Sequence, residues 1–149
     1  MVNKLPFILL FICFSVGTVK GQSVNERDSL KSLIKSAEND SLKAEYYYQL
    51  GFQYPEKTSL DNRINTFLIA YNLFKNQPFT HHKAYCMAEL GSCYLLKRDY
   101  RASEKMYQSA IAQAKESKEL DVEFNVTIRY LDAFLSLKSP VEGLKTVLE

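Results

Sequence analysis

Glycine and proline are scarce, five and four residues in a chain of 149, and there are only three cysteines. With 46% apolar, 13% aromatic and 24% charged residues, the composition excludes a low-complexity, fibrous or disordered chain. No alternating apolar–polar run and no Asn-Gly or Asp-Gly pair marks a strand or a tight hairpin. Phosphate-cradling glycine-rich loops are lacking too. Histidine is limited to His81 and His82. His82 and Cys86 share a helix face at four-residue spacing, but two ligands do not make a zinc site, which takes three or four. The carboxylates Glu116, Glu119, Asp121 and Glu123 crowd around one turn, as a solvated surface does. No convergent nucleophile, base and orienting group is implied, so the expectation is a non-catalytic protein without cofactor or metal.

Charge of one sign is also missing. Residues 1–21 read as a secretory signal peptide: Lys4, the apolar block from Leu5 to Phe14, then small and polar residues at Ser15, Gly17 and Thr18. Val19-Lys20-Gly21 offers a cleavage point that leaves Gln22 at the new N-terminus. Retention of the leader as an anchor is the alternative, although its apolar core falls short of the ~20 residues that span a bilayer. Cys13 lies inside the apolar run, which does not fit lipoprotein processing. Without the leader, Lys4 and Lys20 are lost and seventeen basic residues face seventeen acidic ones. A neutral chain is a poor nucleic-acid binder, because phosphate recognition needs an excess of Lys and Arg on one face. The expected location is periplasmic or secreted.

Cys86 and Cys93 then remain. Seven positions apart on one helix, their Cα atoms would stand about 10 Å apart, beyond disulfide reach, so both are expected as small buried side chains.

From Ser23 onward, apolar residues recur at intervals of three and four. Leu30, Leu33, Ile34 and Ala37 form one stripe on a first helix, placed at residues 22–40. A second helix begins at Asp40-Ser41, carries Tyr47, Leu50, Gly51 and Tyr54, and stops at Pro55. Thr58-Ser59-Leu60-Asp61 opens a third, with Ile64, Phe67, Leu68, Tyr71 and Phe74 inward. The fourth spans about Thr80 to Lys97, the fifth Tyr100 to Ser117, and the sixth Asp121 to Leu137. Ser139-Pro140-Val141-Glu142 is a good start for a seventh. Seven helices and no sheet make an all-α fold of antiparallel neighbours.

The chain repeats itself at a period of 40 residues. Leu50-Gly51-Phe52-Gln53-Tyr54 aligns with Leu90-Gly91-Ser92-Cys93-Tyr94, Ala44 with Ala84, Phe67 with Tyr107 and Ala70 with Ala110. Each unit reads as a helical hairpin in which Gly on the first helix and Ala on the second allow close approach. One further period places Tyr130, Leu131 and Phe134 on the sixth helix, and Gly143 and Val147 on the seventh.

These residues resemble the tetratricopeptide repeat. The second unit carries the signature Leu90, Gly91, Tyr94, Asp99-Tyr100, Ser103, Tyr107 and Ala110, and the first keeps Leu50, Gly51, Tyr54, Phe67 and Ala70. Arg63 replaces the small residue of the first unit, which is expected to displace its helix crossing. The period exceeds the family's usual ~34 residues, as a lengthened second helix and loop would require. The leader and the segments Asp28-Ser29-Leu30-Lys31 and Asn39-Asp40-Ser41-Leu42-Lys43 are similar to the exported N-terminal repeat regions of Bacteroidetes sensor and regulatory proteins.

The resemblance implies a short right-handed solenoid of stacked hairpins. Residues 22–40 would cap it, and residues 41–149 would form units at about 41–80, 81–120 and 121–149. It also implies a protein or peptide partner, received on a concave face built by first helices. The positions this picks out are Tyr48, Gln49 and Gln53 in one unit and Glu89, Ser92 and Leu96 in the next. The alternative is a truncated periplasmic sensory segment of a membrane-bound histidine kinase or transcriptional regulator. Apolar Val141, Leu144 and Val147 add an expectation of self-association through the C-terminal hairpin.

Overall fold

A computed structural model describes residues 19–77 and 81–135. These residues are all-helical, with no strand among them: α1 Val19–Ser36, α2 Asp40–Phe52, α3 Leu60–Lys75, α4 His81–Leu96, α5 Tyr100–Ser117 and α6 Leu120–Leu135. The seventh expected helix and the leader up to residue 18 lie outside the described residues. No helix among those described is long and apolar enough to cross a membrane.

Local chemistry accounts for the boundaries and adjusts several of them. Helix α1 begins at Val19, earlier than expected, and runs through the anticipated cleavage point at Gly21. The N-cap of α2 is Asn39, not Asp40 or Ser41: its Oδ1 accepts from Leu42 N at 2.9 Å, satisfying one of the orphan amides of the first turn. Helix α2 ends at Phe52, so Tyr54 stands beyond it. Ser59 occupies the N-cap of α3 without a side-chain cap bond, and the reciprocal box expected there is not formed. Asp99 caps α5 through Ala102 N at 3.0 Å.

Each helix packs on the next along the chain, and α4 also packs on α6. Helices α2 and α3 run in opposite directions, since Ala44 near the start of α2 joins Ala70 and Phe74 of α3 while Gly51 meets Phe67. Helices α4 and α5 repeat the arrangement with Gly91 under Tyr107. A Cβ on Gly91 would stand 2.7 Å from Tyr107 Cδ2, so only the bare backbone fits beneath that ring. Ser103 donates to Gly91 O at 2.8 Å and pins the same crossing.

Residues forty apart thus share environments. Ala44 and Ala84, Leu50 and Leu90, Phe67 and Tyr107, and Ala70 and Ala110 are all buried. Burying an aliphatic or phenyl side chain fully contributes roughly 1.5–3 kcal/mol, which makes these pairs the energetic centre of the fold. Tyr94 is half-buried, whereas Tyr100 is 51% exposed at the start of α5 and adds little to the core. Cys86 and Cys93 are both free and buried. Burial pushes both thiols up, that of Cys93 to about 11.

Candidate functional site

Three charged side chains meet where the first and second helices of successive units come together. Glu89 on α4 is only 3% exposed. Its Oε1 accepts from Arg129 Nη1 of α6, and its Oε2 lies 3.7 Å from Arg63 Nη2 of α3. Arg63 continues outward to Glu56 Oε1 at 3.0 Å. Its guanidinium also stands over the rings of Phe52 and Phe67, at 5.6 and 5.7 Å from their centroids. Arg63 is buried beside the crossing of α2 and α3, facing rings of both helices. A carboxylate this deep is tolerable because it is paired on both oxygens.

Arg129 differs from Arg63 in reaching water, its side chain being 44% exposed. It lines two open cavities. One, of about 270 Å³, is bounded by Tyr48, Tyr85, Asn125 and Arg129. The other, of about 280 Å³, is bounded by Ser92, Leu95, Tyr107, Arg129, Asp132 and Ala133. Burial alone pulls the Arg129 guanidinium down, but the charge of Glu89 and its hydrogen bond hold it above its ordinary value. Burial, reinforced by Glu89, raises Tyr48, so its phenol stays protonated and can donate. The Ser92 and Tyr107 hydroxyls lie 2.7 Å apart in a hydrogen bond, and Tyr107 is likewise raised by burial. Phenol, amide and guanidinium groups on one half-buried surface suit the carbonyls and polar side chains of a peptide.

The positions picked out from sequence divide into three places. Tyr48, Glu89 and Ser92 gather around Arg129, with Glu89 supporting it from below. Gln49 and Gln53 line a different cavity of about 420 Å³ between α1 and α2, shared with Glu26, Ser29, Leu30 and Phe52. Leu96 sits apart, 49% exposed at the end of α4. Sequence reading did not pick out Arg129, Tyr85 or Asn125. The signal was present, since Arg129 stands forty residues after Glu89 with the opposite charge, and Asn125 forty after Tyr85.

His82 faces Glu45 and Phe74, and Cys86 is buried. His82 Nε2 lies 3.0 Å from Glu45 Oε2, and its ring stacks on Phe74 at 5.4 Å and 10°. Among the described residues no group of three or more His, Cys, Asp or Glu is placed to hold a metal ion. Compared with models of protein families, with curated proteins and with solved structures, the chain matches none.

Proposed function

We propose that this chain is an exported protein–protein or peptide interaction module of the tetratricopeptide type, non-catalytic, its antiparallel hairpins stacked as a short right-handed solenoid. Supporting the repeat are the matched crossings of Gly51 with Phe67 and Gly91 with Tyr107 and the starts of α3 and α5 forty residues apart, at Leu60 and Tyr100. Support for export comes from the leader-like residues 1–21. The observation that carries the binding role is Arg129, fixed from below by buried Glu89 and open to two cavities, one of them mainly polar. An extended peptide would lie across Tyr48, Tyr85, Asn125 and Arg129 with its carbonyls taken by these donors. Self-association through the C-terminal hairpin belongs to the same reading and is argued from apolar Val141, Leu144 and Val147 in the sequence.

The test is selection from a random peptide display library on purified residues 22–149, followed by calorimetric titration of the recovered peptides. Binding that falls about tenfold or more in Arg129→Ala is expected, as loss of a charge-assisted hydrogen bond costs about 1.5–3 kcal/mol, with a smaller fall of about threefold to tenfold in Tyr48→Ala, whose neutral bond contributes about 0.5–1.5 kcal/mol. Failure to recover any binding peptide would overturn the interaction role. Peptides that bind both variants as well as the parent would move the site elsewhere.

A further inference from the structure

Helix α6 is apolar on two opposite faces. Val122, Val126, Tyr130 and Ala133 are buried toward α4 and α5. On the other side Leu120, Phe124, Ile128 and Leu135 form a second stripe at helical spacing and remain exposed, Phe124 by 66%. An exposed apolar stripe opposite a buried one, with polar residues confined to the sectors between them, calls for a cover.

Register identifies the cover. Shifted back by forty, Phe124, Ile128, Leu131 and Leu135 fall on Ala84, Ala88, Gly91 and Leu95 of α4. Those four pack in or beside the core that holds Tyr107, Ala110 and Ala114 of α5, the helix that follows three residues after α4. In the preceding unit Ala44 and Gly51 are covered in the same way by α3. In the repeat register the equivalent position falls to the segment that follows α6, residues 136–149, with its helix-start signal Ser139-Pro140-Val141-Glu142 and apolar Val141, Leu144, Val147 and Leu148.

We propose that the outer stripe of α6 is the seat of this chain's own segment 136–149, docked with Gly143 and Val147 over Leu131. Sizes at the crossing support that pairing. In the second unit the small residue, Gly91, lies on the first helix, and Ser103 and Tyr107 lie opposite. Forty residues on, the first helix presents Leu131, and the facing positions fall to Gly143 and Val147. Bulk has changed sides while the crossing keeps a comparable volume, the kind of exchange that packed cores tolerate. The proposal rests on the repeat register of the proposed function but not on peptide binding.

Paired cysteines test it in the full chain with Cys13→Ala, Cys86→Ala and Cys93→Ala introduced. Leu131→Cys with Gly143→Cys, equivalent to the hydrogen-bonded pair Gly91 and Ser103, should close an intramolecular disulfide under mild oxidation. Its yield should be about tenfold above that of Leu131→Cys with Lys145→Cys, where Lys145 matches exposed Lys105 on the opposite side of the helix. Equal yields, or disulfides formed only between chains, would overturn the seat, the second outcome assigning the stripe to another copy. Native hydrogen exchange on the unsubstituted monomer guards against misfolded variants. Amides of residues 141–148 should exchange about tenfold or more slowly than in a free peptide, and exchange at the free rate would also overturn the seat. Peptide titration reports separately on the binding role, so either reading can fail alone.

Discussion

The backbone of Gly91 passes directly beneath the ring of Tyr107, and that ring's hydroxyl hydrogen-bonds with Ser92, the next residue of α4. Alanine is the better helix former by about 1 kcal/mol, so propensity alone would make Gly91→Ala stabilising. Contact decides the other way: the added Cβ would overlap the Tyr107 ring, which is buried and also packs against Tyr130, 5.6 Å away between centroids. Gly91→Ala should therefore destabilise by about 1–3 kcal/mol in urea unfolding. A variant as stable as the parent would mean that the crossing is looser than described.

Glu89 tests whether the charged cluster is held together or merely accommodated. Glu89→Gln removes the buried counter-charge of Arg63 and leaves exposed Glu56 as its remaining ion-pair partner among the described residues, and should cost about 3 kcal/mol or more. Removing both buried charges, Glu89→Leu with Arg63→Met, should cost less than that single change, because Arg129 can turn to water. Urea midpoints of the two variants give the order, and a double variant less stable than Glu89→Gln would contradict the account.

His82 gives a pH signature. Burial lowers its pKa from the ordinary 6.5, His81 adds to the effect, and Glu45 opposes it; the rings of Tyr48 and Phe74 complete its surroundings. The unfolded chain then binds the proton first, so this residue's contribution falls as pH drops through about 6.5 and levels off below the folded pKa. The melting temperature of the parent should fall more between pH 7 and 5 than that of His82→Phe, which keeps the stack on Phe74 and cannot titrate. Parallel curves would rule out the assignment.

Arg98 and Lys118 hold left-handed conformations, with φ of 62° and 61°, where α4 and α5 end. At Arg98 the chain closes with Arg98 N to Leu95 O at 2.8 Å and Asp99 N to Tyr94 O at 2.9 Å, a termination that favours glycine. Arg98→Gly should raise stability by about 0.5–1 kcal/mol, read as a higher urea midpoint at unchanged slope. A loss of stability would show that the Arg98 side chain contributes more than its backbone conformation costs.

The helices and their crossings were legible because apolar spacing and small residues report directly on packing. The bounds of α5 follow from Tyr100 and Ser117 alone, and Gly51 and Gly91 mark the contacts with Phe67 and Tyr107. The charged cluster was not legible. Sequence picks Glu89 out for a concave binding face and sets Arg63 at the small-residue position of the first unit, and only the meeting of three helices provides the partners that let both be buried. Asn39 displaced Asp40 as the cap of α2 for a local reason, since residues of both types can cap and the geometry one residue earlier won.

Peptide recognition around Arg129 is the central claim, and amide and side-chain chemical shifts of labelled residues 22–149, titrated with a selected peptide, test it most directly. Tyr48, Tyr85, Ser92, Asn125 and the Arg129 side chain should show the largest, saturable changes, with Leu96 and the α1-side residues Ser29 and Gln53 little moved. Saturable shifts centred on Ser29, Gln49 and Gln53, with Arg129 unchanged, would contradict the account.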